Sequence, residues 1–212
     1  MKSTTINLFS SAFKCALLVF VLFLSSISLF AQKEEPPLQP AVFSVWSQRI
    51  DMSRFAGKNY RLTVAIRAEP IGPEAFAVAF IRHEFEERKV RNWAWMDNMF
   101  NRPVRDSSWG KYTLEGVFDQ KAPFLGFGGL GFNNGKFYFD DFQLSVEVSK
   151  GKWETVPIDN GNFEMGHLDA WEQTSMGIPA RVLGAKASLY TEKPFEGKAC
   201  LLMENNMMLD KN

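Results

Sequence analysis

The run Lys136-Phe137-Tyr138-Phe139-Asp140-Asp141-Phe142-Gln143-Leu144 constrains the fold more than any other part of the chain. A segment this dense in aromatic side chains suits a pleated strand with a buried face, and helix has little use for it. It follows Asn133-Asn134-Gly135, residues that tolerate the positive φ of a tight turn. Arg61-Leu62-Thr63-Val64-Ala65-Ile66-Arg67 has the cleanest alternation, with Leu62, Val64 and Ile66 predicted inward and Arg61, Thr63 and Arg67 toward water. Further strands are predicted from Val42, over Ala75–Arg82, Lys89–Met96, Lys111–Phe118 and Pro123–Phe127, and, past a polar break at Lys150-Gly151-Lys152, over Trp153–Val156. Asn162-Phe163-Glu164, Ala170-Trp171-Glu172, Ala187–Tyr190 and Lys198–Met203 continue the series. Short strands with turn signals at roughly 8–12-residue spacing predict an all-β sandwich or jelly roll.

The N-terminus is of another kind. Lys2 and Lys14 flank a Ser/Thr-rich start, Ala16 to Leu24 has no polar residue, and Ser25, Ser26 and Ser28 lead to Leu29-Phe30-Ala31. This order predicts a secretory signal over residues 1–31, cleaved after Ala31, against the competing reading of an uncleaved anchor at the short limit for spanning a bilayer. Cleavage implies a secreted or periplasmic protein with no stable membrane insertion afterwards. Residues 32–41 then read as a linker, because Gln32 to Pro40 holds three prolines and three charges. Cleavage takes Lys2 and Lys14 from 24 basic residues and leaves 22 against 24 acidic, net −2. Without a basic excess, nucleic acid is excluded as a partner. Cys200 becomes the only cysteine, so stability must come from burying the 15 Phe and 6 Trp that remain and their aliphatic neighbours.

Catalytic constellations are missing from the sequence. His83 stands in His83-Glu84-Phe85-Glu86-Glu87 without a second histidine four residues on, and reads as a surface residue. His167 lies in a turn-like Gly-His-Leu-Asp stretch, and no serine sits in a Gly-x-Ser-x-Gly elbow. Gly126-Phe127-Gly128-Gly129-Leu130-Gly131 is interleaved with apolar residues, so a strand bend or bulge explains it better than a phosphate loop. Cys200, between Ala199 and Leu201, reads as a buried small hydrophobe. Trp93 and Trp95, two apart on a strand, share a predicted face with Lys89 and Arg91. Aromatic faces beside polar groups suit sugar stacking, so Trp93, Trp95 and Arg91 are the candidate ligand residues, with two core tryptophans as the competing explanation.

Asn160-Gly161-Asn162-Phe163-Glu164 with Trp171 resembles the opening strand of the galactose-binding-like jelly rolls found as carbohydrate-binding modules of the cellulase-associated type. Pro194 to Leu201 is similar to that family's Gly-Lys turn and the apolar strand after it, Ser47–Ile50 with Gly57–Leu62 to its middle, and Phe137–Leu144 to its closing strand. Met96–Met99, Arg102-Pro103-Val104 and Trp109–Tyr112 also look like modules accompanying catalytic domains of secreted bacterial hydrolases. The resemblance implies an exported, non-catalytic module binding polysaccharide. It also implies a structural calcium, for which Asp140, Asp141 and Glu164 are the acidic candidates. The alternatives are an accessory domain packing against a hydrolase or partner protein, and the N-terminal fragment of a truncated hydrolase. The motifs occur in permuted order, which leaves two readings of the chain. Residues 42–149 form one sandwich and 157–212 begin a partial second one, or 157–212 supply strands that complete the first.

Overall fold

The computed structural model describes residues 43–87, 90–173 and 185–206, without the side chains of 86–87 and 90–96. The described elements are β1 (Phe43–Asp51), β2 (Asn59–Pro70), β3 (Phe76–Glu87), β4 (Val90–Asn98), β5 (Gly110–Val117), β6 (Phe124–Phe132), β7 (Gly135–Ser149), β8 (Lys152–Val156), β9 (Glu172–Gln173), β10 (Ala185–Tyr190) and β11 (Cys200–Asn205). A single 3-10 turn at Ser53–Phe55 is the helical exception. No helix among the described residues is long and apolar enough to cross a membrane.

The strands form two antiparallel sheets packed as a β-sandwich of jelly-roll type. Sheet A has the order β4-β3-β6-β1-β9, and sheet B the order β10-β11-β7-β2-β5 with β8 paired to β7. The alternation expected of β2 holds along its length: Tyr60, Leu62, Val64, Ile66 and Ala68 are all buried in the core between the sheets. On β7 the period breaks once. The β2–β7 register shifts between Thr63 and Ala65, and Asp141 takes φ +50. The bulge turns both Phe139 and Phe142 inward, 6.4 Å apart and nearly parallel.

Two segments differ from their sequence reading. The glycine-rich β6 is a regular central strand in unbroken register with both β1 and β3. Its glycines serve close approach instead of a bend: a Cβ on Gly129 would stand 2.7 Å from the Phe139 ring, and one on Gly131 would meet Phe137 more closely still. Asn160 to Glu164 is a folded corner and not a strand, with Asn160 at φ +48 and Phe163 at φ +57. The Asn160 side chain accepts the Met165 N–H and donates to the His167 carbonyl, while its own carbonyl accepts the Trp171 indole N–H. That knot drops Phe163 and Trp171 into the core against Phe142. The later strands pair with the earlier ones, β11 with β7 and β9 with β1, and Leu201 and Met203 join the same core.

Candidate ligand-binding face

The acidic residues singled out in the sequence lie near one another and hold the chain to itself. Asp140 is buried on the outer side of β7. One of its oxygens accepts the Asp141 N–H at 2.8 Å, the other the Phe195 and Glu196 N–H groups at 2.9 and 3.2 Å. Glu164 accepts the Lys198 and Ala199 N–H groups at 2.7 and 3.0 Å. Asp141 pairs with Lys111 at 2.9 Å and accepts from the Gln143 amide. Two carboxylates thus clamp one loop, residues 191–199, over sheet B. Gly197, at φ +68 with Glu164 against its missing Cβ, lets that loop turn. Among the described residues no group of three or more His, Cys, Asp or Glu is placed to hold a metal ion.

Under the clamped loop the outer face of sheet B is covered. Tyr138, Cys200 and Leu202 form a small second core with Trp109 and Tyr190 against it. The Trp109 indole donates to the Lys193 carbonyl. Arg67, expected to face water, is on the outer face as its alternation requires, but only 6% exposed. Its guanidinium lies 3.8 Å from the centre of the Tyr138 ring, with Glu69 at 3.6 Å. An arginine in that position stacks on aromatic faces in place of hydration.

Beyond the Asp141 bulge the same face is open. The β2, β7 and β8 registers set Thr63 beside Gln143 and align Arg61, Ser145 and Thr155 in one row across three strands. With Asn162 from the corner, these side chains line a groove of about 460 Å³. Trp153, 37% exposed, flanks it, with the Arg61 guanidinium 4.5 Å from its ring centre and Glu115 in turn holding Arg61. A groove of this size with an aromatic at its side and convergent amide, hydroxyl and guanidinium groups has the makings of a small-ligand site. Sequence reasoning passed over every one of these residues, because each looks like an ordinary solvent-facing position of its strand. The exposed tryptophan among polar neighbours in Lys152-Trp153-Glu154-Thr155 was the available signal.

Arg91, Trp93 and Trp95 lie on β4 at the edge of sheet A, so the structure does not bring them together with the acidic set on sheet B. Their side chains lie outside the described residues. The β3–β4 register shifts between His83 and Glu84, setting Trp95 opposite His83 and Trp93 opposite Glu84. His83 itself is no surface residue. It is buried between the sheets, edge-on to Tyr60 and Phe118, and burial lowers its pKa. His167 is exposed, 3.4 Å from Asp169. Cys200 is buried, and burial pushes its thiol up to about 12.

No family model and no curated protein matches the chain. A solved structure described as "CBM4 structure and function" aligns with it at a TM-score of 0.36 and 14% sequence identity. That alignment covers 47% of this chain and 59% of the other, less than two thirds of its length. The assignment to a two-sheet jelly-roll sandwich stands on the strands and their registers.

Proposed function

We propose that the chain is an exported, non-catalytic module that binds carbohydrate on the open half of sheet B. The observation that carries this reading is the groove beside Trp153, lined by Arg61, Thr63, Gln143, Ser145 and Thr155. A pyranose presents an apolar C–H face and a rim of hydroxyls. An aromatic ring suits the first, while amide, hydroxyl and guanidinium groups pair with the second. The same groups bind and orient without offering a nucleophile and base in contact.

Affinity electrophoresis of the mature chain against cellulose, mannan, xylan and laminarin derivatives tests the reading. Trp153→Ala and Arg61→Ala are expected to weaken retention about tenfold each, as truncation of an interface anchor does. A Trp93→Ala/Trp95→Ala variant tests the β4 residues in the same assay. Loss there, with Trp153→Ala unchanged, moves the site to sheet A. Export is checked by N-terminal sequencing of protein recovered outside the cytoplasm, expected to begin at Gln32.

One observation favours a second reading, an accessory domain packed against a partner protein. Phe100 is 44% exposed and stands edge-on to the stacked pair Phe76 and Phe132, whose centres are 4.8 Å apart. Retention on no glycan, together with a co-purifying protein released by Phe100→Asp, would favour it.

A further inference from the structure

The groove on sheet B does not stop at the sheet. A second depression of about 530 Å³ shares Pro157, Ile158 and Met165 with it, and a third of about 210 Å³ shares Gln48, Arg49 and Ala170 with the second. Together they run from the outer face of sheet B, over the corner that follows β8, to β1 and β3 of sheet A. We infer that this is one continuous track that grips a neutral polysaccharide along several sugar units, around the edge of the sandwich. The inference rests on the carbohydrate reading and adds to it the length and charge of the ligand.

The three parts differ in chemistry. The middle is mixed, with Gln48, Arg49 and Asp159 beside an apolar strip of Ile50, Ile158 and Ala170, half-buried, and Met165, 56% exposed, which offers a surface for the C–H faces of sugar rings. The far end is polar and built from buried parts. There Glu84, 1% exposed, is bound by the Arg82 Nε–H at 2.6 Å, and Arg49 lies over the Phe124 ring at 4.1 Å. A Cβ on Gly126 would run into the Arg82–Glu84 pair, so the glycine makes room for it. Along the track Arg49 and Arg61 lie with Glu84, Asp141, Asp159 and Glu172. Glu84 and Asp141 are already paired with Arg82 and Lys111, as Arg61 is with Glu115, so there is no excess of positive charge. A polyanion finds no cationic excess to draw it there, whereas an uncharged polymer meets donors and acceptors at both ends and stacking surface between them.

Calorimetry with neutral oligosaccharides of two to six units, from the polymers above, tests the track, with polygalacturonate as the acidic control. Affinity is expected to rise about tenfold or more between three and six units, while polygalacturonate does not bind. Arg49→Ala, at the far end, should remove that gain and leave the trisaccharide within about twofold. Asp159→Arg, at an exposed position that lines the middle part and not the first groove, should do the same by obstructing the middle. Equal affinity for short and long chains, a length gain that survives both substitutions, or tight binding of polygalacturonate overturns the track while carbohydrate binding stands. Binding of no glycan of any length overturns both.

Discussion

Asp140 shows what burial does to a carboxylate held by backbone donors. Its carboxylate is taken out of water beside Asp141, and burial pushes its pKa up from 3.8 to about 6, against the pull of three backbone N–H bonds. The folded state therefore holds the proton more tightly than the unfolded chain. The stability from this group is complete below the unfolded pKa and is lost as pH rises through about 6. Glu164, on the same loop, has the opposite sign. The Lys198 and Ala199 N–H groups hold its pKa below the usual carboxylate range, so its contribution is present at neutral pH and lost on acidification. Asp140→Asn keeps one oxygen for donors that now use two. It should melt lower at every pH, by about 1–3 kcal/mol for a buried donor left without a partner. Its profile between pH 4 and 6 should also lack the rise on acidification that Asp140 contributes. Melting curves across that range that run parallel to those of the parent chain would refute this assignment.

At the scale of the strand, β6 is the element whose sequence is least like its neighbours and whose geometry is among the most regular. Gly129 and Gly131 sit in a central strand because the Phe139 and Phe137 rings of the facing sheet lie where their side chains would be. Gly131→Ala should cost about 1–3 kcal/mol, as overpacking a filled core does, and lower the melting temperature by about 2–4 °C per kcal/mol. An unchanged midpoint would mean that Phe137 has room to move. The same comparison explains what could be read in advance. Lys136–Leu144 and Arg61–Arg67 were legible because their alternation is local. The β7 bulge was not, because nothing in the local pattern marks Asp141 for a positive φ, and its partner Lys111 is distant in sequence. The glycines of β6 suggested a bend because their partners lie on the other sheet. Asn162 to Glu164 suggested a strand because the residue that folds it, Asn160, acts through two side-chain bonds and its backbone carbonyl on residues further along. The groove was invisible for a related reason: only inter-strand register puts Arg61, Ser145 and Thr155 in one row.

For the molecule as a whole, the question is whether residues 157–212 belong to the core or merely follow it. Three kinds of contact tie them in. β11 pairs with β7 from Leu201 opposite Phe139 to Asn205 opposite Gly135, covering an edge that β7 would otherwise present to solvent. Phe163 and Trp171 fill the space under Phe142, with ring centres 4.8 Å apart for Phe142 and Trp171. The loop held by Asp140 and Glu164 packs Phe195 on Trp109, and β10 ahead of it sets Tyr190 against Tyr138 and the Arg67 guanidinium. Removing residues 157–212 strips all three at once. It leaves an open strand edge, a cavity beneath Phe142, and Arg67 and Tyr138 without Tyr190 against them. Such a fragment is expected to aggregate or to melt far below the intact chain. Because aggregation alone says little about cause, Trp171→Ala in the full chain serves as the finer measurement. It leaves every strand pair in place and should cost about 3–5 kcal/mol, the range for truncating a large buried aromatic. Suppose instead that residues 43–156 melt alone with the cooperativity and midpoint of the intact chain, and that Trp171→Ala is silent. The later strands would then be an appendage, and the groove beside Trp153, whose far wall is the Asn160 corner, would have to be reassigned along with them.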